Sequence, residues 1–479
     1  MNGILKGIAE EFNNRKFLII GLIAGLVVYL LLAPVPESAL PEGGKRVIAL
    51  AAICTVFFLT EAIPLPAVAL FIGIYQVIFV FDKHTVAQTF MSDSVFFIMG
   101  SLMIGVAFVS QGLDKRIAHS ILTRSGTSIN RVVLGIVTSC AILAAFVAEH
   151  TVAAMMLPVG MILVTLGAAG KECNNLGKLI MFSIAYGCSI GGMGTPSGGS
   201  RNAIMIEYWN QMFGIHVGYF DWMLYALPMV LIMIPITTII LLNTFKPEVK
   251  DLAPALERIR EEVEKQGKMS SKQWSAVGIF LFILILWMIY GTTVGLGTIA
   301  LLGAVIYLTF GFVKWNYLSE HVSWGTILLY AGAISMGVAM VKTGAATWLA
   351  LSFLEILKSA GMDSGIALSG AISFFLVAVT NTMSNGAAVA LTGPITLNMA
   401  DIASAGDTSY ILFIGFITSV SSAFAYLMVI GTPPATIIYS SGYIKPIDYI
   451  RGGWKMTLAS IAVLLILSSI YWPSLEGLV

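Results

Sequence analysis

The chain has 479 residues, of which 58% are hydrophobic and only 11% charged, and its formal net charge at neutral pH is +1. Soluble domains carry about 25% charged residues, so the composition excludes an ordinary water-soluble fold, and the near-zero net charge gives no electrostatic case for a nucleic-acid partner. The cysteines Cys54, Cys140, Cys173 and Cys188 form no CxxC pair and have no histidine at ligand spacing, so they read as small apolar residues inside helices, with no cofactor implied.

The first apolar run follows Lys6, Arg15 and Lys16 and carries no Asp, Glu, Lys or Arg from Phe17 to Val35. Nothing in it resembles a signal-peptidase site, which predicts a retained first helix with a cytoplasmic amino terminus. Similar runs recur, Ala276 to Val313 among them. At roughly 20 apolar residues per crossing they predict an all-α polytopic membrane protein of about 11 transmembrane helices. Residues 1–92 read as amino-terminal scaffold helices. The long polar stretch, Lys246 to Lys272 with the core LERIREEVEKQGK, reads as an amphipathic helix and solvated connector, and its seven Lys or Arg place it in the cytoplasm. It divides the chain into a first repeat at 93–245, a linker at 246–273, scaffold helices at 274–322 and a second repeat at 323–479.

The two halves are related. Phe97 to Gly112 aligns with Leu329 to Gly344 at constant offset, matching Gly100, Gly105, Val106, Ala107, Val109 and Gly112 to Gly332, Gly337, Val338, Ala339, Val341 and Gly344. Ala148 to Pro158 then pairs with Ser384 to Pro394, and GTPSGG at Gly194 to Gly199 with GTPP at Gly431 to Pro434. After Gly112 come Lys115, Arg116, Arg124 and Arg131, whereas the loop after Gly344 has Glu355, Lys358 and Asp363 and no basic excess. Equivalent loops therefore face opposite sides, as an inverted repeat requires.

Backbone that leaves the helix at membrane depth must be buried in protein or line a wet cavity. The sequence suggests such openings at two Gly/Thr/Pro breaks, within broken helices near 179–211 and 409–441. It suggests two more at turns inside hairpins near 132–168 and 365–400, around Ala148-Glu149-His150 and Ser384-Asn385-Gly386. Paired interruptions in corresponding positions of two halves point to a carrier's binding site, and the half-helix amino termini there suit an anion. Glu149 and His150 are the only acidic or basic residues between Arg131 and Lys171, and Arg201 lies just past the first break. Charges inside spans are costly and mark function by default. A channel would need polar stripes along several helices, which the apolar runs lack. An enzyme finds no HExxH site, GxSxG elbow or aspartyl pair.

Taken together, these motifs resemble the divalent anion/sodium symporter family, the dicarboxylate and citrate carriers that include the INDY proteins. The family's TEAxPLP signature appears as Thr60 to Pro66. Its two Ser-Asn-Thr hairpin motifs align with Ala148-Glu149-His150 and Ser384-Asn385-Gly386, and its GTxPN segment with Gly198 to Asn202. The resemblance implies a homodimer in the cytoplasmic membrane, re-entrant hairpins and an elevator-type movement of the site. It also implies a substrate site at Ala148, Glu149, His150, Thr151, Gly198, Gly199, Ser200, Arg201, Asn202, Ser384, Asn385, Gly386, Gly431, Thr432 and Pro433. Departures from the pattern strip hydroxyls and amides from the sodium loops, leaving degenerate sites near His150, Arg201, Asn385 and Ala435. The expectation is transport of C4–C5 dicarboxylates such as succinate, malate, fumarate or 2-oxoglutarate. Citrate, tartrate and sulfate remain open as substrates. His150 and Arg201 would replace at least one sodium and favour sodium-independent exchange; sodium-coupled symport is the alternative.

Overall fold

The computed structural model describes residues 2–168 and 173–475, and among them the secondary structure is helical, with a single isolated bridge between Ser128 and Asp251. Helices α1 (Asn2–Leu32), α2 (Glu42–Thr60) and α3 (Leu65–Phe79) come first. Helix α2 ends because Glu61 turns left-handed at φ 48°, and Pro64 and Pro66 restart the chain as α3 with the fixed φ that a first helical turn accepts. A short α4 (Lys83–Phe90) is capped by Asp82, whose carboxylate accepts from the His84 and Thr85 amides. The first half continues through α5 (Asp93–Ser110), α6 (Leu113–Ser125), α7 (Ile129–Phe146), α8 (Glu149–Gly167), α9 (Asn174–Gly191), α10 (Ser200–Phe213) and α11 (Tyr219–Thr244). After the linker helix α12 (Ala253–Gln266) come α13 (Ser271–Val294), α14 (Leu296–Thr309) and α15 (Trp315–His321). The second half is α16 (Trp324–Lys342), α17 (Ala345–Lys358), α18 (Gly365–Thr380), α19 (Asn385–Ser404), α20 (Thr408–Ser421), α21 (Pro433–Tyr439) and α22 (Pro446–Ile466).

Equivalent elements make equivalent contacts. Helix α5 packs on α14, and its repeat partner α16 packs on α3. The matched glycines explain both approaches: a side chain at Gly100 would come within 2.6 Å of Ala300, and one at Gly332 within 2.7 Å of Ala69. Helices α7 and α8 flank α9 as α18 and α19 flank α20, while α8 also meets α21 and α19 meets α10. Each half thus closes on the broken segment of the other.

Among the described residues, eight helices are long and apolar enough to cross a membrane. Another five apolar segments, Lys16–Leu32, Leu65–Phe79, Leu296–Thr309, Gly365–Thr380 and Thr408–Ser421, are shorter. Outward-facing apolar side chains such as Leu31, 71% exposed, and Ile470, 74% exposed, give the belt that lipid covers. All four cysteines are free and buried.

The linker departs from the solvated connector expected of it. Leu252, Ala255, Leu256 and Ile259 bury an apolar stripe of α12 against α6 and α8, with Leu252 seated over Gly167. Glu248 caps α9 through the Asn175 and Leu176 amides at 2.8 and 3.0 Å, and Asp251 accepts from the Thr127 hydroxyl at 2.6 Å. The composition is polar, but one face of the helix is apolar and buried.

Candidate substrate-binding site

Four helix amino termini converge on one cavity of about 110 Å³, room for a small ion or short acid and far below a drug-sized pocket. The termini belong to α8, α10, α19 and α21. Helix α7 stops at Phe146, Val147 runs extended, and α8 begins at Glu149 with Ala148 as a cap that offers no side-chain oxygen. Glu149 therefore stands in the first turn of α8, where the helix dipole favours a carboxylate. On the other hairpin, Ser384 caps α19 by accepting from the Ala387 amide, and Asn385 begins the helix.

The first break is held open by specific polar contacts. The Thr195 hydroxyl donates to the Ala145 carbonyl while its oxygen accepts from the Gly198 amide at 3.2 Å. The Asn202 amide donates to the Gly192 and Thr195 carbonyls at 3.0 and 2.7 Å, and its oxygen accepts from Ser419 at 3.1 Å. A methyl group at Gly198 would lie 2.8 Å from the Gly192 carbonyl oxygen and 3.0 Å from those of Ala144 and Ala145. Only glycine fits there. In the second break, Thr432 caps α21 by accepting from the Ala435 amide at 3.3 Å.

Arg201 is the charge at the centre. Its side chain is 1% exposed, and Nη1 lies 3.4 Å from Glu149 Oε1, itself on a side chain 12% exposed. The Asn385 amide is satisfied when its nitrogen donates to Thr380, Ser422 and Gly431 and its oxygen accepts from Arg201 Nη1 at 3.2 Å. Nε and Nη2 of Arg201 and Oε2 of Glu149 have no hydrogen-bond partner. Gly192 and Gly199 make room for the pair, since a side chain at Gly192 would meet both Arg201 Nη2 and Glu149 Oε2 at 3.0 Å. Arg201 thus binds the two hairpin tips together while keeping donors unused, in surroundings where such groups attract an acceptor strongly.

The cavity wall gathers eleven of the anticipated residues: Ala148, Glu149, His150, Gly198, Gly199, Ser200, Arg201, Ser384, Asn385, Gly386 and Pro433. Thr151, Asn202, Gly431 and Thr432 do not line it. Asn202 and Thr432 serve the breaks instead, and Gly431 borders a neighbouring cavity of about 560 Å³ that shares Ser384 and Pro433 and has Glu61 on its wall. Among the described residues no group of three or more His, Cys, Asp or Glu forms a metal cluster. The opposite wall comes from Phe97, Ile98, Ser101 and Leu102 of α5 and Thr326 and Tyr330 of α16, none of them anticipated. Their signal was present, because the clearest repeat match begins on these two helices.

A family model described as the sodium:sulfate symporter transmembrane region matches residues 14–478. The chain belongs to the sodium:sulfate symporter family. Its relatives include an uncharacterized transporter of Haemophilus influenzae, 26% identical over 97% of this chain and 99% of its own length. The sodium-dependent dicarboxylate transporter SdcS of Staphylococcus saprophyticus is 25% identical, covering 100% of this chain and 98% of its own. Among solved structures, Neisseria gonorrhoeae MtrF, from work on a class of antimetabolite efflux pumps, has a TM-score of 0.56 at 12% identity, covering 83% of this chain and 84% of its own. Alcanivorax borkumensis YdaH, a transporter of unusual topology, has a TM-score of 0.55 at 12% identity, with 90% and 99% covered. The two structures share the fold. This symporter-family member is accordingly a multi-pass membrane transporter and not an enzyme.

Proposed function

We propose that the protein carries C4–C5 dicarboxylates across the cytoplasmic membrane, by sodium-independent exchange, with the two hairpins re-entrant and moving with the substrate in an elevator-like step. The homodimer and the cytoplasmic amino terminus belong to the same reading. The observation that carries it is Arg201, a buried guanidinium with unused donors where helix amino termini meet. A dicarboxylate brings about two negative charges and Glu149 adds a third, and the four helix termini together offset roughly two of them. Arg201 supplies a fixed cation for the rest, a role that diffusible sodium would otherwise take. The names of the SdcS relatives support the substrate class.

A second reading, sodium-coupled dicarboxylate symport, rests on two observations. Glu149 sits at ion-pair distance from Arg201, so the empty site is already partly balanced and the cost of returning unloaded falls. The carbonyl oxygens of Ala144, Ala145 and Gly192 also gather around Gly198, which is the ligand chemistry a hard cation takes. Ala435 and the fully engaged Asn385 amide give no such oxygen set in the other half.

Counterflow of labelled succinate or 2-oxoglutarate into proteoliposomes, with and without sodium, separates the two. Exchange predicts uptake against internal unlabelled dicarboxylate in sodium-free buffer. Uptake that needs a sodium gradient overturns exchange in favour of symport, and no saturable uptake of either acid overturns the dicarboxylate reading.

A further inference from the structure

The two halves have divided the polar groups of the cavity differently. In the aligned repeats, His150 at the first hairpin tip corresponds to Gly386 at the second, and Ile98 on α5 corresponds to Tyr330 on α16. All four line the cavity. In the first half the hairpin tip brings the large polar side chain and α5 brings an aliphatic one. In the second half the assignments are reversed.

The reversal is enforced by contact. A side chain placed on Gly386 would lie 2.1 Å from Tyr330 Cε1, 2.8 Å from Cζ and 2.9 Å from the phenol oxygen. Gly386 is therefore a notch in the tip of α19, and the Tyr330 ring fills it. The ring edge takes the place where a side chain on residue 386 would stand, and the phenol oxygen lies 2.9 Å from that position, beside the Ser200 side chain and near the Glu149–Arg201 pair. Tyr330 itself is 9% exposed, buried on the cavity wall.

We infer that Tyr330 is a substrate-contacting residue, its phenol donating to a carboxylate oxygen of the bound anion from α16, in place of a side chain on the α19 tip. The inference rests on the dicarboxylate reading and deepens it. One ligand of the anion then comes from α16 and the others from α8, α10 and α19, so the substrate bridges these helices and bound anion tightens the contact between them.

The test begins with Tyr330→Phe, which keeps the ring in the Gly386 notch and removes only the hydroxyl. Loss of one hydrogen bond to a charged group weakens succinate binding roughly tenfold or more. The effect is read as a rise in KM for counterflow and, in detergent, as a rightward shift of the succinate concentration that raises the melting temperature. The second arm is a swap. Tyr330→Ile removes the ring and weakens binding further, and Tyr330→Ile with Gly386→Thr restores a hydroxyl from the hairpin side and recovers affinity. Unchanged affinity in Tyr330→Phe, with succinate binding intact in the wild type, overturns this inference alone. Absence of succinate binding in the wild type overturns the dicarboxylate reading and this inference with it.

Discussion

Replacing Glu149 with glutamine tests the electrostatics of the site most directly. The substitution keeps the shape of the first turn of α8 and removes the charge facing Arg201. At 3.4 Å, and with an effective dielectric constant of about 20, the pair attracts by about 5 kcal/mol. Part of that offsets the cost of taking both ions out of water, and breaking a buried pair by removing one partner costs about 3–5 kcal/mol. For a chain of 479 residues, an unfolding entropy of roughly 2 cal/mol/K per residue converts that to a fall of about 3–5 °C in melting temperature. Bound anion reverses the sign of the problem, because a carboxylate then neutralises the bare guanidinium. Succinate at about 100 times its dissociation constant stabilises the wild type by about 2.7 kcal/mol, and the shift at equal succinate is expected to be larger in the variant. Thermal unfolding of detergent-purified protein, with and without succinate, measures both. A variant that melts with the wild type, or gains no more from succinate than the wild type does, refutes the view that Arg201 is held for an anion by a partial ion pair.

Three further outcomes follow from named contacts. Arg201→Lys keeps the charge but loses the planar fork whose Nη1 serves both Glu149 and Asn385 and whose Nε and Nη2 are left for an anion; dicarboxylate affinity should fall at least tenfold, by roughly the 1.5–3 kcal/mol of one charge-assisted hydrogen bond, in a binding titration. Gly198→Ala forces a methyl group against three carbonyl oxygens; transport should be lost and the melting temperature lowered, and wild-type transport rates would show that the break is less tightly built. In the linker, the hydrogen bond from the Thr127 hydroxyl, then that from the Ala253 amide, hold the Asp251 carboxyl below its ordinary range. A depressed folded value means that this contribution is present above the ordinary carboxylate range and is lost as pH falls through the lowered value. Limited proteolysis of the linker should therefore accelerate in acid in the wild type, while Asp251→Asn should be cleaved readily at neutral pH and lose that pH dependence.

Several features of the site were legible before any coordinates. Gly194 to Gly199 and Gly431 to Pro434 announce broken helices because glycine and proline act on the backbone locally; α9 stops at Gly191, just before the first, whereas α20 already stops at Ser421, well ahead of the second. Glu149 and Arg201 stood out because charge in an apolar run is costly wherever it falls. Asn202 does not line the cavity, and its hydrogen-bonding groups close the break on Gly192, Thr195 and Ser419, partners that sequence spacing alone does not reveal. Tyr330 was overlooked because an aromatic residue in a glycine-rich helix reads as packing until its neighbour is known.

The sequence by itself determined that the chain is a helical membrane protein of two related halves with matched interruptions, because hydrophobic run length, charge and Gly/Pro placement act within a few residues of one another. Tertiary structure alone decided that Glu149 meets Arg201, that Tyr330 fills the notch at Gly386, and that the apolar stripe of the linker docks on α6 and α8. Those partners are far apart along the chain. Which of them touch depends on how close the helices approach, and that distance is set at glycines such as Gly100 and Gly332 by the surfaces they meet.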